Sequence, residues 1–152
     1  MESGDIRDGN IQASSEQSSG DAAYPATKGR LNGPSAWYAV KSQTGPIWIQ
    51  ADIGYPSYVS GMKTQGDETS FDCWVTSFKV STFPTTGGNE VFVEDQNGIA
   101  ITFSGNVDPS SELTTMFTGK VYARIVRITC LTTSCNGWYT LRFEILGCTA
   151  YT

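Results

Sequence analysis

At 152 residues, with 16% charged residues and a formal net charge of -5, the chain can bury one core. It lacks the Lys and Arg excess that nucleic acid, or a purely electrostatic hold on anionic lipid, requires. It contains no histidine, so no Ser/His/Asp or Cys/His nucleophile can be assembled and the commonest zinc ligand is missing, which removes most enzyme classes.

Gly, Ser and Thr are abundant and no window sustains an apolar period of 3.6, so the chain reads as all-β. No run of about 18 apolar residues exists to form a transmembrane segment, and Met1-Glu2-Ser3-Gly4-Asp5 offers neither a basic nor an apolar signal region. In residues 47–53, Ile47, Ile49, Ala51 and Ile53 share one face, with Trp48, Gln50 and Asp52 on the other. The next strong strand places Trp74, Phe78 and Val80 together. Residues 91–94, 99–103 and 121–128 are further candidates. The last, 138–146, sets Tyr139, Leu141, Phe143 and Ile145 opposite Thr140, Arg142 and Glu144. Between them, Thr85-Thr86-Gly87-Gly88-Asn89 and Asn97-Gly98 have hairpin chemistry, which makes the expected pairing antiparallel. No internal repeat or linker divides the sequence, so residues 1–152 form a single domain.

Several segments stand in a fixed order. They are Ala13-Ser14-Ser15, Gly29-Arg30-Leu31-Asn32, Ala36-Trp37, Trp48-Ile49-Gln50-Ala51-Asp52-Ile53-Gly54, Thr64-Gln65-Gly66, and the run from Trp74 to Val80. Gly105-Asn106-Val107-Asp108, Ala123-Arg124-Ile125-Val126-Arg127-Ile128, and Leu141-Arg142-Phe143-Glu144-Ile145-Leu146-Gly147-Cys148 follow. In this order the chain resembles the discoidin domain, also called the coagulation-factor type C domain, most nearly its neuropilin-type and other animal extracellular members. The resemblance implies an antiparallel jelly-roll β-sandwich of about eight main strands, with ligand-facing loops at one end and both termini at the other. Such a fold is a binding scaffold whose ligand is chosen by its loops.

Four cysteines, Cys73, Cys130, Cys135 and Cys148, are compatible with an oxidising compartment. Cys130 and Cys135 flank a short loop that a disulfide between them would brace; Cys73 with Cys135 is the competing pair, since both lie in loops that the resemblance puts at one end. Family members join the final Leu-Gly-Cys cysteine to one ahead of the first strand. Cys148 is present and that partner is not, so Cys148 is expected to be unpaired. A redox-active or metal-binding cysteine cluster is disfavoured without Cys-x-x-Cys or histidine.

The resemblance places the ligand-side loops at residues 16–28, 33–46 and 67–73, with 132–138 beside them. Sugars are held by a flat aromatic ring together with side chains that donate and accept hydrogen bonds. Tyr24, Tyr38, Phe71 and Trp138 supply rings, and Asp21, Asp67, Thr69, Ser70, Asp72 and Asn136 supply polar groups. Lipid-binding relatives expose large apolar loop tips framed by basic residues. Here Phe71 stands among acids, which a negative leaflet repels. Trp37, Trp48 and Trp74 are read as core, and Arg30, Arg127 and Arg142 as partners of carboxylates such as Asp52 or Glu144. Some lectin relatives hold calcium; the resemblance puts Glu144 at their carboxylate and Asn32 in their carbonyl loop, but with Asn32-Gly33 replacing the usual Asp-Gly. Neuropilin-type domains seize a partner's terminal arginine through an aspartate whose position falls on Ser42, so that activity is not carried over.

The expectation is therefore a non-catalytic, extracellular recognition module. Its partner would be a cell-surface glycan or an extracellular protein, with an anionic phospholipid headgroup as the alternative. It needs no cofactor and forms part of a larger multidomain or oligomeric protein.

Overall fold

A computed structural model describes Met1 and residues 4–148, apart from the Cys148 side chain. The expectation that Cys148 is unpaired lies outside what is described. Among the described residues there are ten strands: β1 (Ile11–Ala13), β2 (Gln17–Ser19), β3 (Ala22–Tyr24), β4 (Trp37–Tyr38), β5 (Ile47–Gln65), β6 (Val75–Phe83), β7 (Val91–Phe92), β8 (Phe103–Ser104), β9 (Leu113–Thr133) and β10 (Thr140–Cys148). Every strand ladder is antiparallel, in the order β4-β10-β5-β9-β6-β7, with β1 on β5 and β8 on β6. β2 and β3 form a separate hairpin.

The two long strands build the jelly-roll sandwich by changing partners midway. The first half of β5 pairs with β1 and with the end of β9, and its second half pairs with β10 and the start of β9. At the changeover Asp52 faces Ile125 and Ser57 faces Ala123, so residues 53–56 are opposed by residue 124 alone. Such an excess bends a strand. Gly54, at φ 92°, takes the left-handed conformation there, and its amide donates to Asp52 Oδ1 at 2.8 Å.

The period-two pattern buries Ile49 and Ala51 on β5, Phe78 and Val80 on β6, Val126 and Ile128 on β9, and Leu141 and Phe143 on β10, in one core that also holds Trp37. Trp74 departs from expectation. Register shifts between Val75 and Phe78 break the alternation, so Val75 is the inward residue and Trp74 is half-buried. Residues 91–94 and 99–103 contribute only short ladders. Between them Asp95 Oδ1 accepts the amides of Asn97 and Ile99 and holds an irregular turn.

Thr140 and Arg142, on the face opposite Leu141 and Phe143, are buried as well. Loops cover that side of β10, and Arg142 donates to three backbone carbonyls, Gly66 at 2.7 Å, Gly33 at 3.0 Å and Pro109 at 3.4 Å, rather than to a carboxylate. Asp52 pairs instead with Arg124, at 2.9 and 3.1 Å. Arg127 lies 4.1 Å from the centre of the Trp48 ring, which is how that half-buried tryptophan is covered. Among the described residues no helix is long and apolar enough to cross a membrane.

Candidate functional site

Four connections converge at one end: the β2–β3 hairpin, the stretch around β4, the β5–β6 loop and the β9–β10 loop. Each is tied down by bonds its own sequence supplies. Trp37 Nε1 donates to Ser15 O at 2.8 Å and the Val40 amide to Ser15 Oγ at 2.9 Å, joining β4 to the chain after β1. Asp67 and Cys73 pair at the base of the β5–β6 loop. A disulfide from Cys73 to Cys135 then fastens that loop to the β9–β10 connection.

This pairing corrects the Cys130–Cys135 candidate. Cys130 is a mid-strand residue of β9 and points into the core, whereas Cys135 lies past the end of β9, beside the Asp72 carbonyl. Cys130 is a free, buried thiol whose pKa burial pushes up to about 12.

Asp67 organises the β5–β6 loop from beneath. It is fully buried, and its carboxylate accepts from the Thr69 amide at 2.8 Å, the Thr69 hydroxyl at 2.5 Å and the Tyr38 hydroxyl at 2.8 Å. Burial pushes its pKa up, but the Thr69, Tyr38 and Ser70 donors outweigh burial and hold the carboxyl below its usual range. The same burial, followed by the hydrogen bond and charge of Asp67, drives the Tyr38 phenol far above its ordinary value. Both groups were expected to meet ligand, yet Tyr38 is 1% exposed and Asp67 0%. They support the site from below.

On that support stand the other rings. Tyr24 packs edge-on against Tyr38 with centroids 4.9 Å apart, and Phe71 does so from the other side at 5.7 Å. Phe71 is 64% exposed. Tyr24, Phe71 and Trp138 wall a cleft of about 280 Å³ whose floor is Tyr38 and whose polar edge is Gln17 and Ser19. Phe71 and Trp138 continue into an apolar recess of about 250 Å³ backed by the disulfide. A cleft this small, apolar on its faces and polar at an edge, accommodates one sugar-sized ring.

Of the expected residues, the structure thus brings Tyr24, Tyr38, Phe71 and Trp138 together. Asp21 sits exposed at the β2–β3 turn, Thr69 and Ser70 serve Asp67, and Asp72 and Asn136 take positive φ angles of 48° and 36° in their loops. None of these five lines the cleft. Gln17 and Ser19 were missed because residues 16–28 read as a loop. The signal was present in Ser19-Gly20-Asp21, where Gly20 at φ 58° turns a hairpin that sets Gln17 and Ser19 on one face.

The side chains of the calcium candidates are engaged in bonds within the protein. Asn32 donates from its side chain to Glu112 and binds Gln65 through both backbone and side chain, while Glu144 Oε1 accepts from the Met1 amino group and the Ile145 amide. Among the described residues no three His, Cys, Asp or Glu side chains gather as a metal cage. A second concavity, about 330 Å³ and bounded by Met1, Ile53, Tyr55, Tyr58 and Glu144, shares no residue with the loop cluster.

A sandwich that fixes four loops around an aromatic cleft defines a recognition module. The chain belongs to the F5/8 type C domain family, whose model matches residues 10–145. It is 31% identical to neuropilin-1a of Danio rerio over 97% of its length, but spans only 16% of that relative. It is also 31% identical to mouse retinoschisin, covering 97% of this chain and 66% of the other. The fold is similar to that of CpGH89CBM32-5 from Clostridium perfringens, solved in complex with GalNAc-β-1,3-galactose, with a TM-score of 0.70 at 15% identity over 93% of this chain and 99% of the other. The chain is a discoidin-type binding module.

Proposed function

We propose that this module binds a glycan outside the cell through the Tyr24, Phe71 and Trp138 cleft, as one domain of a larger or oligomeric protein. The convergence of those three rings with Gln17 and Ser19 carries the reading. The rings would stack on the apolar face of a sugar, while the amide and hydroxyl would bond its hydroxyl groups. The loop disulfide fits an oxidising compartment, and the solved sugar complex on the same fold supports the ligand class. The loops are bolted together by the disulfide and by Asp67, so binding would need little backbone movement. One shallow site gives weak affinity, and useful binding would come from several copies.

A glycan array run with the purified domain and with Phe71→Ala and Trp138→Ala tests this, in calcium and in chelator. Selective hits that both variants lose support the reading. A blank array, or hits that survive in both variants, refutes it. Attachment to anionic lipid is the weaker alternative. Phe71 is the large apolar residue exposed on the β5–β6 loop, its burial contributes about 1.5–3 kcal/mol, and exposed Glu68 and Asp72 flank it.

A further inference from the structure

The cleft bears positive charge at its rim and no carboxylate along its walls. Lys28 Nζ lies 5.5 Å from the centre of the Tyr24 ring and donates to the Ala23 carbonyl at 2.6 Å. Lys41 Nζ lies 5.3 Å from the centre of the Trp138 ring. Both side chains are exposed, and among the described residues neither ammonium is ion-paired. Elsewhere Arg30 pairs with Asp8, Lys63 with Glu112, Arg124 with Asp52 and Arg127 with Glu90, while Arg7, Lys79 and Lys120 neither line the cleft nor pack on one of its rings. The acids nearest in sequence do not compensate. Asp67 is buried under its own donors, Glu16 accepts from the Ala26 amide at 2.9 Å, and Glu16, Asp21, Glu68 and Asp72 do not line the cleft.

In a chain of net charge -5, two unpaired ammonium groups stand beside two of the three ring walls and no carboxylate lines the cleft, so its Tyr24 and Trp138 sides are positive while the exposed Glu68 and Asp72 remain beside Phe71. We infer that the ligand is an anionic sugar, whose ring occupies the cleft while its carboxylate or sulfate is met by Lys28 or Lys41. The inference rests on the reading of this cleft as a sugar site. Lysine suits the task as a mobile point charge on a flexible stem, able to reach an anion on either side of a stacked ring. Attraction to each ring holds the cation near the rim before ligand arrives. A partly exposed pair of this kind contributes about two- to fivefold in affinity, and salt screens it.

The test is titration of the full chain with matched pairs, 3′-sialyllactose against lactose and galactose 6-sulfate against galactose, at low and at high salt. Phosphatidylserine vesicles without sugar form a separate arm. At least one anionic member should bind about two- to fivefold above its neutral partner, and that ratio should fall towards one in high salt and in the Lys28→Gln/Lys41→Gln double variant. Equal binding of charged and neutral sugars would overturn the inference while leaving the glycan reading intact, as would a ratio that survives the double variant. Binding to vesicles with no response to any sugar would overturn both. Circular dichroism and the thermal midpoint of the double variant report whether a lost ratio reflects lost charge or lost fold.

Discussion

Removing the disulfide is the perturbation whose size the structure fixes most tightly. The bond joins residues 62 apart in sequence, and the chain-entropy relation assigns a loop of that length about 4 kcal/mol of stability at 25 °C. A link from Cys130 to Cys135 would close about five residues and give only about 2 kcal/mol. The Cys73→Ser/Cys135→Ser double variant should therefore lose about 4 kcal/mol in urea unfolding, which for a domain of this size lowers the thermal midpoint by about 8–16 °C. Mass mapping of the native protein should find Cys73 linked to Cys135, and Cys130, its thiol raised by burial, should resist alkylation until the chain unfolds. A loss near 2 kcal/mol, or disappearance of the crosslink in Cys130→Ala, would refute the reasoning.

Tyr38→Phe removes one donor from the buried Asp67 and should cost about 1.5–3 kcal/mol at neutral pH. Because the folded carboxyl is held below its usual range, its contribution is present above that range and lost as pH falls through the folded pKa. The cost of the substitution should therefore shrink towards low pH and the acid midpoint should move up, and a cost independent of pH would contradict this. Phe71→Ala should abolish sugar binding with a stability change of about 0.5 kcal/mol, as expected for an exposed side chain, whereas Trp37→Ala should cost about 3–5 kcal/mol; comparable losses in thermal melts would undo the division between cleft and core. Gly66→Ala would place a Cβ 2.4 Å from the Cys73 carbonyl oxygen and 2.7 Å from Trp74 Cβ, and the forced shift should cost about 1–3 kcal/mol in urea unfolding.

Much of the fold was legible because strand alternation is a direct imprint of burial. Ile49, Ala51, Leu141 and Phe143 fall inside as their spacing requires. Trp74 was misplaced since a bulge shifts the alternation by one residue, and a bulge leaves no mark on hydrophobic pattern alone. The four rings were found by residue type, but their roles depend on depth. Tyr38 looks like its companions in the sequence and differs only in having Asp67 below it and two rings above. Cys130 and Cys135 lie close in sequence, yet Cys130 faces the core from β9 while Cys135 lies in the loop past its end. The lysine rim was hidden for the same reason, since its meaning comes from which acids are absent nearby in space.

The central claim is that ligand enters between Tyr24, Phe71 and Trp138. Chemical-shift mapping of the isotopically labelled domain, titrated with the strongest sugar found on the array, tests it most directly. The account predicts shifts concentrated at those three rings, at Gln17 and Ser19, and at the Lys28 and Lys41 rim. Shifts gathered instead around Tyr55, Tyr58 and Glu144 would place the site in the other concavity and contradict it.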